Sequence, residues 1–417
     1  MREPPKYATP HMSELPRYDS TPVLDIGVYG ARGIPSTYSG YETFLTVMLP
    51  ALAARGHVIT MYCRRGDVEH EHTYEGVKKR FLPSIESKAL STLSHGAIAA
   101  FAARSARHDV VLVLNVANAG YCAIHRWTGQ PVVLNVDGQE WLRGKWGRTA
   151  RRFFKLSALI ARRTTTALIA DCSAMQQIYH EEFAASSTVV PYCWTDLTAR
   201  VRSEGLGGAG LKPGQYFCQA GRLNPENNAV PLAQAFARSK CKWPLVILGG
   251  ANYDSPVRRE LEDLARRDDR IRLLGHIDDR ATFAGLVQNA GAYLHGHSVG
   301  GINPSLLEAM GIGALIVALD TVFNLEALGD AGLYFHDFDA SLTSLLESLP
   351  VMSAQNRDRL RQQASERVRA TYSAGRVVKA YETLLIAAAA APWRSDVTVS
   401  TDWGRPTPHR SATMEGS

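Results

Sequence analysis

A chain of 417 residues is longer than one hydrophobic core usually organises, so two domains are expected. Hydrophobic residues at 45% and charged residues at 21% are ordinary for a soluble globular protein, and a net charge of +6 is modest. The six cysteines have no CxxC pair or metal-ligand spacing, no apolar run approaches a membrane span, and residues 1–21 lack a signal-peptide core.

In chain order, residues 1–21 are rich in Pro and polar groups and read as a disordered leader. A strand is expected over 23–29, then the turn Gly30-Ala31-Arg32-Gly33-Ile34-Pro35 and a helix through Ala54. Glycines 27, 30 and 33 make GxxGxxG and not GxGxxG, which argues against a nicotinamide cofactor. In GARGIPSTYSGYETF, Gly30, Gly33 and Gly40 let the backbone approach a ligand. Arg32 there offers a fork to phosphate or sugar oxygens, or else pairs with Glu42.

Further strands are expected over 57–63, 76–82, 110–115 and 131–136, with a helix over 87–105. The run 110–115 is almost wholly apolar, as a parallel strand covered on both faces should be. Past residue 136 comes DGQEWLRGKW, which puts Asp137, Glu140, Trp141, Lys145 and Trp146 directly after a strand end. Carboxylates accept hydroxyl protons and indole faces stack on sugars, so this run reads as an acceptor-sugar platform. A capping Asp with tryptophans in a domain interface is the other reading.

Between Arg143 and Arg163 there are eight Lys or Arg residues and no acidic one, interleaved with apolar side chains. Such a helix suits an anionic membrane surface or a lipid diphosphate, or presents a solvated basic face. No nucleic-acid motif accompanies it. Strands over 167–170 and 188–192 complete the first sheet, with Asp171 and Ser173 capping the helix between them. The expected division is a first domain over 22–200, a linker over 201–214 and a second domain over 215–374.

The second half restarts the alternation. A strand over 215–220 ends in GRLNPENN, which carries Arg222 and Asn227; strands over 245–248 and 270–274 and a helix over 280–289 follow. In the stretch 291–326, a buried strand over 292–295 runs into the turn Gly296-His297-Ser298-Val299-Gly300-Gly301. A helix starts near Asn303-Pro304 with Ser305 beside it, and the next strand covers 314–319. A strand, a glycine turn and a helix N-terminus bind phosphate through free backbone N–H groups. Glu308 lies about one and a half turns into that helix. Residues 339–372 read as helical, 375–391 as a helix crossing back to the first domain, and 392–417 as a disordered polar tail.

This pattern resembles the donor site of retaining glycosyltransferases of the GT-B type, family 4. GARGIPSTYSGYETF, DGxEWxRxKW and HGHSVGGxNPSLLEAM are similar to a subgroup of bacterial rhamnosyltransferases with a DUF1972-type N-terminal domain. The resemblance implies an α/β fold of two Rossmann-like domains facing across a cleft. It places Glu308 on the nucleotide ribose, Arg222 on the diphosphate, and Gly33, Asn227, His297, Gly300, Gly301, Asn303 and Ser305 around the donor. Arg32, Tyr38, Trp141 and Lys145 would meet the acceptor, with Asp137, Glu140 and Arg222 catalytic. Two departures stand out: the family's E-x7-E would put a Glu at Gly300, and its usual Lys is Asn227.

Asp337-Phe338-Asp339 lies far from the glycine turns, so no DxD metal site and no cofactor are expected. The implied donor is dTDP-rhamnose, or else a UDP- or GDP-hexose. The implied acceptor is a saccharide on a lipid diphosphate, with no nucleic-acid partner. A non-catalytic nucleotide-sugar-binding protein is the alternative of a different class. The expected location is the cytoplasm, peripheral on the inner face of the plasma membrane.

Overall fold

The apolar runs become two separate sheets. The computed structural model describes residues 21–35, 40–66, 71–85, 90–144, 146–198, 201, 206–207, 209–250, 255–392, 396–401 and 403. The first sheet contains β1 (Asp25–Tyr29), β2 (Val58–Arg64), β3 (Thr73–Tyr74), β4 (Val77–Leu82), β5 (Val110–Leu114), β6 (Val132–Asn135), β7 (Ala167–Ala170) and β8 (Thr188–Val189). Their spatial order is β3-β4-β2-β1-β5-β6-β7-β8, and only β3 runs antiparallel to its neighbour. β5 is buried along its whole length, because crossover helices cover both faces of a parallel sheet.

The second sheet contains β9 (Phe217–Ala220), β10 (Leu245–Leu248), β11 (Ile271–Gly275), β12 (Ala292–His295), β13 (Ile316–Leu319) and β14 (Leu333–Phe335). Its order is β11-β10-β9-β12-β13-β14, all parallel. Each sheet reverses its winding once, between β1 and β5 and between β9 and β12. Such reversal points open a crevice at the carboxyl ends of the strands. The turn after β1 holds Arg32 and Gly33, and those after β9 and β12 hold Arg222 and Gly296 to Gly301.

The last helix, Ala374–Ala390, returns to the first domain and packs on the helix Gly40–Ala54. Val377, Val378, Tyr381, Leu384 and Leu385 are buried in the core with the β1 and β5 side chains. Glu382 takes a bidentate pair from Arg55 at 2.8 and 2.7 Å and meets His57 at 3.0 Å. Burial raises the Glu382 pKa, but the Arg55 and His57 hydrogen bonds outweigh it and leave the carboxyl below its ordinary value.

Two expectations change. β8 stops at Val189 and not at residue 192, since Pro191 has no N–H for the ladder. Of the tail expected to be disordered, residues 396–401 and 403 lie along the β7–β8 side of the first domain, and the other residues past 392 lie outside the described ones. Val397 N donates to Thr166 O (2.9 Å), Val399 N to Thr188 Oγ1 (3.1 Å), and Thr401 Oγ1 to Val189 O (2.7 Å). The Val397, Val399 and Trp403 side chains pack against the first-domain core. All six cysteines are buried free thiols. Among the described residues no helix is long and apolar enough to cross a membrane.

Candidate functional site

The turn after β12 is held by the segment after β9. Ser298 N donates to Glu226 O at 3.0 Å, and Asn228 Nδ2 donates to Gly296 O at 2.7 Å. A β-carbon on Gly296 would stand 2.8 Å from the Leu232 side chain and 3.0 Å from Asn227 O, so a side chain there would press on both. Asn303 caps the helix Pro304–Ile312, its Oδ1 accepting from Ser305 N (2.9 Å) and Ser305 Oγ (2.8 Å), with Pro304 in the first turn.

Asn227 Nδ2 donates to Arg222 O at 2.6 Å, and its Oδ1 meets His297 Nδ1 at 2.7 Å. That oxygen can only accept, so His297 carries its proton on Nδ1 and leaves Nε2 as an acceptor. Burial, helped by His295, Arg143 and Arg222, pushes the His297 pKa well below its ordinary value, so the ring is neutral. Asn227 therefore fixes the turn and the Arg222 backbone with both ends of its carboxamide, where a donor contact was expected. Arg222 itself is exposed. Glu308 is buried, and its Oε1 accepts from Arg280 Nη2 at 2.6 Å, which keeps a charge at this depth paired.

On the first domain, Asp137 follows β6 in the left-handed region with φ 60°. Asn135 makes this turn hold: its Oδ1 accepts Asp137 N (2.9 Å) while its Nδ2 donates to Tyr381 Oη (2.7 Å). Tyr192 Oη donates to Asp137 Oδ1 at 3.1 Å. The next residue touches the second domain, since a β-carbon on Gly138 would stand 2.9 Å from Gly300 Cα and 3.3 Å from Gly301 N. The two motif turns thus meet backbone to backbone across the cleft.

Other residues of the DGQEWLRGKW run have different duties from those expected. Glu140 is buried, pairs with Arg143 Nε at 2.6 Å and accepts Trp146 Nε1 at 2.9 Å, so it orients its neighbours. Trp141 is no stacking platform: it is buried edge-on to Tyr179 and Phe183, with ring centroids 5.9 and 5.2 Å away. Lys145 and Tyr38 lie outside the described residues. Gly33 is buried with φ 145°, and Arg32 stands beside the carboxylate of Glu42. Burial raises the Glu42 pKa, opposed by Arg32 and, across the cleft, by Arg222.

Sequence reasoning missed four contacts between the domains. Arg143 reaches from the first domain, with Nη1 3.9 Å from Glu226 Oε1 and Nη2 3.8 Å from where a β-carbon on Gly300 would stand. Its place in EWLRGKW, three residues after Glu140, was the available signal. Asp171, expected as a helix cap, instead lies against Gly301, where any β-carbon would enter the carboxyl group. Its Oδ1 is buried without a hydrogen-bond partner, and burial, then Asp137, pushes its pKa up to about 8. The cap of the helix Ser173–Phe183 is Cys172, whose Sγ accepts Met175 N at 3.4 Å. Glu326 of the second domain completes that cap. The Trp194 ring of the first domain packs against Gly311, where a β-carbon would stand.

The arrangement can cradle an anionic ligand on backbone amides and Arg222. Comparison with known proteins agrees with this division. Residues 23–195 match the family described as a domain of unknown function (DUF1972), and residues 214–349 match the glycosyl transferases group 1. The O-antigen chain mannosyltransferase B of Escherichia coli is 28% identical over 140 residues, 32% of this chain and 36% of that protein. The chain thus spans little more than a third of that relative's length.

Among solved structures, Anabaena HepE in complex with UDP-glucose superposes with a TM-score of 0.69 at 15% identity, covering 87% of this chain and 99% of that one. The sucrose-phosphate synthase of Thermosynechococcus elongatus gives 0.69 at 17% identity, covering 86% and 98%. The UDP-forming alpha,alpha-trehalose-phosphate synthase of Burkholderia vietnamiensis gives 0.70 at 11% identity, covering 89% and 98%. At these identities the likeness is one of fold, two Rossmann-like domains facing across a cleft. The chain has the GT-B fold, with a first domain similar to DUF1972 and a second similar to the glycosyl transferases group 1.

Proposed function

We propose that the chain is a glycosyltransferase that moves a hexose from a nucleotide sugar to an acceptor seated on its first domain. The observation that carries this reading is the contact of Gly138 with Gly300 and Gly301, which sets Asp137 opposite the glycine turn and helix N-terminus. The group 1 match over the second domain and the UDP-glucose held by HepE support it. Glu308 takes the ribose hydroxyls, and the turn amides, the N-terminus of Pro304–Ile312 and Arg222 take the diphosphate.

In the transfer, the bond from the anomeric carbon to the diphosphate oxygen breaks and its electron pair leaves on the diphosphate. The acceptor oxygen bonds to that carbon with retained configuration, and its proton passes to the departing phosphate. Asp137 orients the attacking hydroxyl and stabilises positive charge at the anomeric carbon. Helix terminus and Arg222 do the work a metal would otherwise do, and no cofactor is invoked. By resemblance the sugar is L-rhamnose from dTDP-rhamnose. A mannosyl donor is the second reading, favoured by the Escherichia coli relative.

The acceptor in this reading is a lipid-diphosphate saccharide, reached at the cytoplasmic face of a membrane. The helix Arg148–Thr164 leaves Phe153, Leu156 and Leu159 exposed among Arg151, Arg152 and Lys155, a face suited to anionic lipid. A thermal-shift panel of dTDP-rhamnose, UDP-glucose and GDP-mannose, with NADH as control, tests the reading. A true donor at a hundred times its Kd stabilises the fold by about 2.7 kcal/mol. A shift with NADH and none with any nucleotide sugar would overturn it.

A further inference from the structure

We propose that Arg143, a residue of the first domain, is a second cation on the donor diphosphate, delivered across the domain boundary beside Arg222. The inference rests on the reading of the cleft as a nucleotide-sugar site and assigns a residue that the motif reading did not.

Charge is the first argument. A sugar ester of a nucleoside diphosphate brings two negative charges to the turn, and more develops on the leaving oxygen as the glycosidic bond breaks. The second domain answers with Arg222 and one helix N-terminus. None of the other polar side chains at the turn is a cation: His297 is held uncharged by burial, Asn227, Ser298, Asn303 and Ser305 carry no charge, and Glu226 is a carboxylate. Another cation is needed, and Arg143 is placed to supply it. Its charge is felt at His297 along with that of Arg222, and its Nη2 lies against the turn at Gly300.

Geometry is the second. The Arg143 side chain is only 12% exposed, a costly place for a guanidinium without a purpose. Glu140 grips Nε at 2.6 Å and is itself held by Trp146, so the fork is aimed before any ligand arrives. Glu226, the partner on the second domain, stays 3.9 Å from Nη1, beyond hydrogen-bond reach. The Nη2 edge lies at the seam of the two turns, 3.5 Å from where a β-carbon on Gly138 would stand and 3.8 Å from that of Gly300. Burial opposes the charge, but Glu140, Asp137 and Glu226 outweigh it and hold the pKa above its ordinary value, so the group stays cationic. Because the cation comes from one domain and the turn from the other, the full phosphate site exists only when the domains are together.

The test is calorimetric titration of the full chain and of Arg143→Gln and Arg143→Lys with UDP, dTDP and GDP and with the matching monophosphates. Far-ultraviolet circular dichroism and melting temperature establish that each variant is folded. The preferred diphosphate should bind Arg143→Gln about 10- to 100-fold more weakly, as expected for losing charged hydrogen bonds. The monophosphate should change less than about 2-fold, and Arg143→Lys should fall between parent and Gln. Added guanidinium ion should restore part of the lost turnover of Arg143→Gln. Unchanged diphosphate affinity, or equal weakening of mono- and diphosphate, would show a structural residue and overturn the proposal. Should the parent bind none of the three diphosphates, the nucleotide-sugar reading falls first and Arg143 with it.

Discussion

Glu326 of the second domain caps a helix of the first: its carboxylate accepts Ser173 N at 2.6 Å and Ala174 N at 3.0 Å. A helix N-terminus leaves several N–H groups unbonded and carries partial positive charge, and here the answering anion lies 153 positions along the chain. The Glu326 charge is felt at Asp171, which lies against Gly301, so both contacts join the domains in one region.

Removing this cap should loosen the domains from each other. Glu326→Ala is expected to cost about 1–2 kcal/mol, the range for losing a helix cap. Chemical denaturation followed by tryptophan fluorescence measures it, and small-angle scattering should show a wider spread of domain arrangements than in the parent.

A pH effect should follow from Asp171. Its carboxyl titrates at about 8 in the folded chain against 3.8 as a free group, because burial and Asp137 disfavour its charge. The folded state therefore holds an extra proton between those values. That contribution is full below 3.8 and is lost as pH rises through 8, at a slope of at most about 1.4 kcal/mol per pH unit. Glu326, Asp137, Tyr192, Tyr372 and Tyr381 face the same region, so the comparison must be with a variant. The melting temperature of Asp171→Asn should fall less steeply than the parent's between pH 6 and about 8. Parallel curves would remove Asp171 from the account.

The basic helix gives a separate prediction. Reversing Arg151, Arg152 and Lys155 to Glu should release the protein from acidic liposomes in a flotation assay and leave transfer to a short water-soluble acceptor within about twofold of the parent. Lys155 meets Glu182 at 3.5 Å with both side chains exposed, so its loss should cost little stability. Equal flotation of variant and parent would reduce this helix to a solvated face.

How far the sequence could be read follows from where each signal lies. The runs VVLVL and LVIL were legible because parallel strands are apolar on both faces, and the Asn303-Pro304 helix start because cap and first turn are adjacent. The helices Ala229–Arg238 and Pro256–Arg267 went unread. The first is only ten residues long, follows Asn228 in the left-handed region and carries Pro231, and the second is mostly charged. The glycine turn was legible, but its duties were not all so. A tryptophan after a strand looks the same whether it will face a sugar or, like Trp141, lie against Tyr179 and Phe183. Asp171 with Gly301, Trp194 with Gly311 and Arg143 with the Gly300 turn are pairings across a domain boundary, and no local pattern announces them.

Asp137 should prove the residue on which transfer depends. Asp137→Asn keeps the shape and the left-handed turn, which Asn tolerates, while removing the charge. Turnover should fall about a hundredfold or more with donor affinity retained. Glu140→Gln should instead loosen Arg143 and weaken donor binding, because Glu140 grips that guanidinium at 2.6 Å.

The most direct measurement is a transfer assay with radiolabelled dTDP-rhamnose, UDP-glucose and GDP-mannose and a lipid-diphosphate saccharide acceptor, run on the parent and on Asp137→Asn. The account predicts labelled lipid product with one donor in the parent and about a hundredfold less in Asp137→Asn, with that donor still binding both. Tight binding of a nucleotide sugar by the parent, with no product on any acceptor tried and no release of its sugar, would contradict it. The chain would then be a nucleotide-sugar-binding protein without turnover.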